Sequence, residues 1–380
     1  MYDLIVIGGN ISGVYAAISA AKKGIKVALI ERHKKPFSPA HCAEAIPDVS
    51  ANLLYLDEIN CPKNEIDKIT INVSSDRQYN FKLSRNKILI INRSYLENEM
   101  LKIARNSGVK LFLGIQMKKF NPPNEIILDN KKTINGKVII DASGIVCITS
   151  KYIGIDSKIK PEDIGVCIQS RIKGNFEPHR IYMWFHKPYA PFGYAWLFPI
   201  NKNEANVGLV VPGGQKLDLK NLLDGYIELM IKKDYKIIHT FRACEPLSNP
   251  LNVLVKDNVM FVGDAARVVD PASGAGIHNA VFSGTLAGLI AAKFILKKIP
   301  NLEIYNDAMK EKTDRIKNTY YKKKKLDSDK KYIKGYCIVF SILSFLNKIF
   351  PNLFQGSIAK LLKKDEKIIQ LYNQEGLGFK

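Results

Sequence analysis

Leu4-Ile5-Val6-Ile7 is an unbroken apolar, β-branched run, the pattern of a short strand covered on both faces. It feeds into Gly8-Gly9-Asn10-Ile11-Ser12-Gly13. From Val14 to Lys23, small and apolar residues predict a helix packed closely on a sheet and stopped by Gly24. Ile25 to Ile30 reads as the next strand, and Glu31 closes the unit. Strand, glycine turn, helix, strand and acid in this register form a βαβ nucleotide cradle. Backbone N–H groups at the helix start attract a pyrophosphate, and the terminal carboxylate accepts hydrogen bonds from ribose hydroxyls. Gly8, Gly9, Asn10, Ser12 and Gly13 are therefore expected at the phosphates, with Glu31 and the adjoining Arg32 at the adenosine end. Asn10 departs from the fingerprint, which has a second glycine there, but asparagine tolerates left-handed geometry.

After a proline-broken loop, Ala40 to Ile46 reads as the end of a loop and the start of a turn of helix. Alternation over Lys68–Val73 and Lys87–Ile91 predicts strands of an inserted sheet. A helix follows from Tyr95 to Ser107, with Ser94 as its N-cap and Gly108 as its stop. Val109–Leu113 and Glu125–Leu128 read as strands, and Lys137 to Asp141 as a central strand ending in the Ala142-Ser143-Gly144 turn, where a parallel sheet binds ligands. Ile164 to Val211 is mainly strand and contains the aromatic stretch Tyr194-Ala195-Trp196-Leu197-Phe198-Pro199. Asn258 to Val262 is a strand running into Gly263-Asp264, and Pro271 to His278 leads into a long helix of small residues reaching about Leu296. Beyond Pro300, Asn306 to Lys334 is charged and helix-like. The apolar run Tyr336–Leu346 falls short of the roughly 20 residues of a spanning helix and allows a surface helix.

A chain of 380 residues can bury a large core in more than one domain. Its six cysteines are scattered without a CxxC pair, which argues against a zinc site, an iron–sulfur cluster or a disulfide framework and fits a reducing cytosol. With a strand starting at the second residue, no signal peptide is expected. The net charge of +21 fits nucleic acid, an anionic membrane or phosphorylated substrates, and an abundance of Lys, Ile and Asn throughout makes part of it compositional drift. Cys42, taken alone, reads as a small buried residue, and a Gly-Asp after a strand as an ordinary turn.

Taken together and in this order, these stretches resemble the geranylgeranyl reductase family, flavoproteins built like p-hydroxybenzoate hydroxylase, in particular its archaeal members that saturate membrane-lipid prenyl chains. Tyr194 to Pro199 matches the family's YxWxFP motif, although its usual GxG continuation is Gly208-Leu209-Val210 here. The resemblance implies an α/β fold: a Rossmann-like FAD-binding domain of the p-hydroxybenzoate hydroxylase type, an inserted antiparallel-sheet substrate domain and a C-terminal helical tail. The expected boundaries are 1–60, 86–150 and 250–300 for the FAD domain, 61–85 and 151–249 for the substrate domain, and 301–380 for a basic helical region. It further implies FAD as cofactor, held by Gly8, Gly13 and Glu31, with Arg93 along it, Gly144 at the sheet edge, Asp264 on the ribityl chain, and Gly274, Gly276 and Ile277 by the flavin ring. Cys42 matches a family cysteine beside the flavin, with Ala43 in place of the following glycine and Ala275 interrupting the later glycine turn. Tyr194, Trp196 and Phe198 are expected to line a prenyl-binding cavity.

The expected reaction is hydride delivery from flavin N5 to a prenyl double bond, with a proton added at the other carbon. Cys42 is a candidate catalytic group, with Tyr194 and Trp196 stabilising the cation-like carbon, and Cys42, His41 and water are candidate proton donors. An external donor, reduced nicotinamide or ferredoxin, supplies the electrons, and a cytoplasmic enzyme on the membrane surface is expected, with no metal and no nucleic acid. Two alternatives stand beside it. One is a flavin hydroxylase of the same fold, which by resemblance carries Asp-Gly where this chain has Ser143-Gly144. The other is a basic membrane- or nucleic-acid-binding protein with a vestigial nucleotide fold.

Overall fold

The computed structural model describes residues 1–35, 42–73, 77–84, 86–185, 188–231, 234–327, 332–349 and 351–374. Among these, helices α1 (Ile11–Ala21), α2 (Arg93–Asn106), α3 (Leu219–Met230), α4 (Ile277–Ile295), α5 (Ile304–Asp327), α6 (Tyr332–Ile349) and α7 (Pro351–Gln374) accompany three sheets.

The first sheet has a parallel core in the order Val259–Phe261, Thr133–Asp141, Tyr2–Ile7, Val27–Glu31, Lys110–Leu113. Its central strands are apolar and buried, with α1 and α4 packed on them, and Leu4, Ile5 and Val6 have no exposed surface. α1 and α4 pack against each other at backbone distance. A Cβ on Gly284 would lie 2.1 Å from the Ser12 carbonyl oxygen, and one on Gly288 would lie 2.2 Å from that of Ala16. This is the physical reason for the small residues read along α4.

The second sheet runs in the order Lys236–Pro246, Ile164–Lys173, Glu204–Pro212, Tyr194–Pro199, Arg180–Trp184, Lys68–Asn72, Gln78–Lys82. It is antiparallel except where Arg180–Trp184 pairs in parallel with Lys68–Asn72. One face, with Ile168, Leu197 and Leu209, is covered by α3, and the other faces the parallel sheet's crevice. A third, small sheet joins Ala45–Pro47, Ile88–Ile91 and Lys63–Ile66 between the two.

Two local expectations are corrected. Ala45–Pro47 is a strand rather than helix, because pairing with Ile88–Ile90 satisfies its backbone. α2 is capped by Asn92, whose Oδ1 accepts from the Tyr95 N–H at 2.9 Å, so Ser94 lies inside the first turn. The apolar run in α6 is divided between two faces. Tyr336, Cys337 and Phe340 pack on Phe185 and Tyr79 at the end of the second sheet, while Ile338, Val339, Ile342 and Phe345 are exposed.

The C-terminal helices are fastened by buried charge. Asp365 of α7 accepts from Lys312 Nζ of α5 at 2.5 Å and from His278 Nε2 of α4 at 2.8 Å. His278 Nδ1 in turn accepts from the Ser50 hydroxyl at 2.9 Å. Burial holds His278 below its ordinary pKa; it would raise that of Asp365, but the bonds from His278 and the charge of Lys312 hold it down. Since an unfolded histidine takes up a proton near pH 6.5 and the folded one resists it, the network's contribution declines as pH falls below about 6.5. The melting temperature is expected to drop between about pH 7 and pH 5, and His278→Gln to flatten that drop, in scanning calorimetry at several pH values.

Candidate active site

Gly8 has φ +106°, and a Cβ there would lie 2.2 Å from the Ala142 carbonyl oxygen; a Cβ on Gly13 would lie 1.9 Å from the Gly8 oxygen. These contacts let α1 start hard against the sheet with its first N–H groups facing the crevice. Asn10 is not left-handed. It is the extended N-cap of α1 (φ −72°, ψ 179°), its amide donating to Ala142 O at 2.6 Å and its Oδ1 accepting from Ser12 at 2.9 Å. A capping side chain thus stands where the fingerprint has a second glycine, and its bonds turn it toward the sheet. Glu31 is buried, accepting from Gly9 N–H at 2.8 Å and His33 N–H at 2.8 Å, while Arg32 is exposed. The cradle fits an adenosine diphosphate moiety. Glu31→Ala is expected to weaken FAD binding by about 1.5–3 kcal/mol, the value of bonds to a charged acceptor, and fluorescence titration checks this.

At the carboxyl edge of the same sheet, Asp264 opens the turn Gly263–Ala266. Among the described residues its carboxylate has no hydrogen-bond partner, as suits a group that takes polyol hydroxyls. Burial raises its pKa, against the nearby charge of Arg93. Arg93 lies at the start of α2 with its guanidinium on Glu97 at 2.9 Å and beside Cys42. Burial raises Glu97 to about 7, against Arg93. Cys42 is half-buried, its sulfur accepting from Glu44 N–H at 3.2 Å; burial pushes its thiol up despite Arg93, so it is neutral rather than a thiolate. His41 and residues 36–40 lie outside the described residues. Gly144 (φ +75°) begins the turn after the central strand, and Gly274 (φ +69°), Gly276 and Ile277 lead into α4, whose first turn has no side-chain cap and offers its N–H groups.

Tyr194, Trp196 and Phe198 point to the crevice side of the second sheet as a ladder, with ring centres 5.8 and 6.3 Å apart. Tyr194 OH donates to Ser273 O at 2.5 Å and ties the ladder to the turn before α4. Gly208 faces Trp196 so closely that a Cβ would lie 2.5 Å from the indole, which accounts for the retained glycine, whereas Val210 is buried against the same ring. A cavity of about 220 Å³ opens beside the ladder, walled by Phe185, Tyr194, Val210, Leu247, Gly274 and Tyr336.

The structure brings the fingerprint residues, Cys42, Arg93, Asp264, the Gly274–Ile277 turn and the ladder around one crevice; Arg32 stands outside it at the surface. Sequence reasoning missed five polar residues there. Gln169 bridges the halves, donating to Cys42 O at 2.9 Å and accepting from Trp196 Nε1 at 3.0 Å. Glu44, with φ +69°, is buried under Arg171 and Asn206 at 2.5 and 2.9 Å. Glu245 projects from the edge strand toward Gly274. The signal for Gln169 and Arg171 was their alternation with Ile168 and Ile172 along one strand; Glu245 carried none.

Residues 3–36 match the FAD dependent oxidoreductase family and residues 163–244 the geranylgeranyl reductase catalytic domain. A digeranylgeranylglycerophospholipid reductase of Methanothrix thermoacetophila is 30% identical over 316 residues, 76% of this chain and 77% of the relative. Digeranylgeranylglycerophospholipid reductase 1 of Methanococcoides burtonii is 28% identical over 312 residues, 77% of this chain and 75% of the relative. Among solved structures, a geranylgeranyl bacteriochlorophyll reductase-like protein of Thermoplasma acidophilum superposes with a TM-score of 0.81 at 23% identity, covering 95% of this chain and 99% of its own. A flavin-dependent brominase reaches 0.69 at 17% identity, covering 99% and 96%. At these identities the structural likeness is one of fold. Fold and cradle define an FAD-dependent oxidoreductase built like p-hydroxybenzoate hydroxylase. Within that class the chain belongs to the geranylgeranyl reductase family, with the archaeal digeranylgeranylglycerophospholipid reductases.

Proposed function

We propose that this chain reduces the prenyl double bonds of an isoprenoid ether-lipid precursor. The observation that carries the reading is the ladder Tyr194–Trp196–Phe198 on the crevice side of the second sheet, with a mainly apolar cavity at its Tyr194 end whose two lysines, Lys323 and Lys324, are paired with Asp327 and Asp163 rather than set to anchor a phenolate or carboxylate. An alkene gives a site nothing to grip but apolar surface, worth about 0.8 kcal/mol per methylene buried, and aromatic walls supply it. FAD, when bound and reduced by an external donor, a nicotinamide or a ferredoxin, supplies hydride. The chain's own residues orient the alkene, exclude water and, with the electron-rich faces of Tyr194 and Trp196, favour positive charge at the protonated carbon. Gln169 fixes the indole in place. We draw the boundaries of an FAD-binding and a substrate unit along the two large sheets.

Dithionite-reduced protein incubated without air with a geranylgeranyl ether lipid is expected to give products heavier by successive hydrogen pairs in mass spectrometry. Mass gained only as oxygen, or only in air, would make the chain a hydroxylase.

No described helix is long and apolar enough to cross a membrane. We place the enzyme on an anionic bilayer through the exposed face of α6, Ile338, Val339, Ile342 and Phe345, with the lysines of α5 beside it. This face adjoins the helix surface that walls the cavity, so a lipid tail has a short path inward. Because α5 and α7 are part of the folded body, point changes test this better than truncation. Ile342→Glu/Phe345→Glu is expected to abolish liposome flotation that the parent shows at low salt.

A further inference from the structure

Saturating an alkene takes a proton as well as a hydride, and the groups already identified are poor donors. Burial pushes up the thiols of Cys42 and Cys167 and the phenol of Tyr194, so all three hold their protons too tightly to give one up readily. Glu97, though acidic enough, is bound by Arg93 on the far side of Cys42.

Glu245 meets the geometric requirements. It lies on the crevice face of the Lys236–Pro246 strand, opposite Gly165, where a Cβ would come within 2.9 Å of its Cγ. Its Oε1 sits against the turn before α4, 2.8 Å from where a Cβ of Gly274 would stand, so the carboxyl lies directly on that glycine. Among the described residues its one hydrogen-bond partner is the Cys167 thiol, at 3.9 Å, and no cation neutralises it. The titratable groups around it are Cys167 on the neighbouring strand, Cys244 on its own, Tyr194 on the ladder and Asp264 on the turn after Val259–Phe261; each carries negative charge when ionised.

We propose that Glu245 is the general acid that protonates the prenyl double bond. The inference rests on the reductase reading above. The Glu245 O–H bond breaks and a C–H bond forms at one alkene carbon; the hydride supplied by the reduced flavin forms the other. The alkene gains two electrons, the flavin loses them, and the carboxylate left behind takes its next proton from water. Burial first, then the charge of Asp264, raises Glu245 to about 8, so it carries a proton at neutral pH and is the most readily ionised uncharged donor on this face. It is also a half-buried carboxyl with no cation beside it among the described residues, so its acid form is the less costly to keep there.

The test is Glu245→Gln in the FAD-loaded enzyme, a substitution that preserves shape. Two readouts are needed, single-turnover reduction of the prenyl lipid against pH and infrared difference spectra of the carboxyl groups. Reduction is expected to slow on the order of 10²–10⁴-fold with yellow colour retained, and Glu245→Asp to restore part of it. In the parent, the rate should fall as pH rises through about 8, together with a protonated-carboxyl band that the Gln variant lacks. An unchanged rate and pH profile in Glu245→Gln, or a Glu245 band already ionised at neutral pH, overturns the proposal. If the parent itself leaves the lipid unreduced, the function reading fails, while the infrared band still reports the state of Glu245.

Discussion

Gly13→Val is expected to yield protein that is colourless and cannot be reconstituted with FAD. The new Cβ would stand 1.9 Å from the Gly8 carbonyl oxygen and 3.0 Å from the Ala142 side chain, and neither backbone nor a core alanine can swing aside. α1 would have to lift from the sheet, taking its first N–H groups with it. Overpacking strain of about 1–3 kcal/mol is a minimum where the obstacle is backbone, and at about 1.4 kcal/mol per tenfold it removes roughly five- to hundredfold of FAD affinity at the least. Gly24→Ala is the control. Gly24 also has positive φ (+83°) but meets nothing within 4 Å, so that variant should lose about 1 kcal/mol of stability and keep its colour. Flavin absorbance after purification and thermal unfolding separate the two outcomes.

Trp196→Ala is expected to retain flavin and lose prenyl reduction. The indole is buried with Ile66, Ile90, Ile181, Phe198 and Val210, a cluster distinct from the core around α1 and the parallel sheet. Truncation costs about 3–5 kcal/mol of folding stability and leaves the Gln169 carbonyl without its donor, but this loss falls on the second sheet. The alkene then lacks its firmest wall. Trp196→Phe keeps the wall and drops only the hydrogen bond, so it should recover a good part of the rate. Equal losses of flavin and activity in Trp196→Ala would instead make the ladder a support for the cradle.

The parallel sheet was legible because its information is local: an apolar β-branched run, a glycine turn and an acid at fixed spacing have one physical use. Glu125–Leu128 and the α4 limits came out to within a residue or two for the same reason. Asn10 was misread because asparagine serves both as a cap and in left-handed turns, and Ser94 was taken for the cap that Asn92 supplies because both are capping residue types; only the pairing of the neighbouring amides decides. The sheet bearing the ladder was visible as strands, but not which faces meet, so Gln169 and Glu44 stayed hidden until strands distant in sequence were laid side by side. Glu245 is the extreme case: nothing in Ala243-Cys244-Glu245-Pro246 hints that a glycine on another element makes room for its carboxyl.

The contact of α1 with α4 carries a consequence for synthesis on the ribosome. The glycine loop leaves the exit tunnel long before Gly284 and Gly288, which supply the surface that Ser12 and Ala16 need. Val259–Phe261, the strand that completes the parallel sheet beside Thr133–Asp141, arrives equally late. Such long-range closure is slow and leaves apolar strands uncovered in the meantime. Nascent chains stalled before α4 should therefore neither capture FAD nor resist protease.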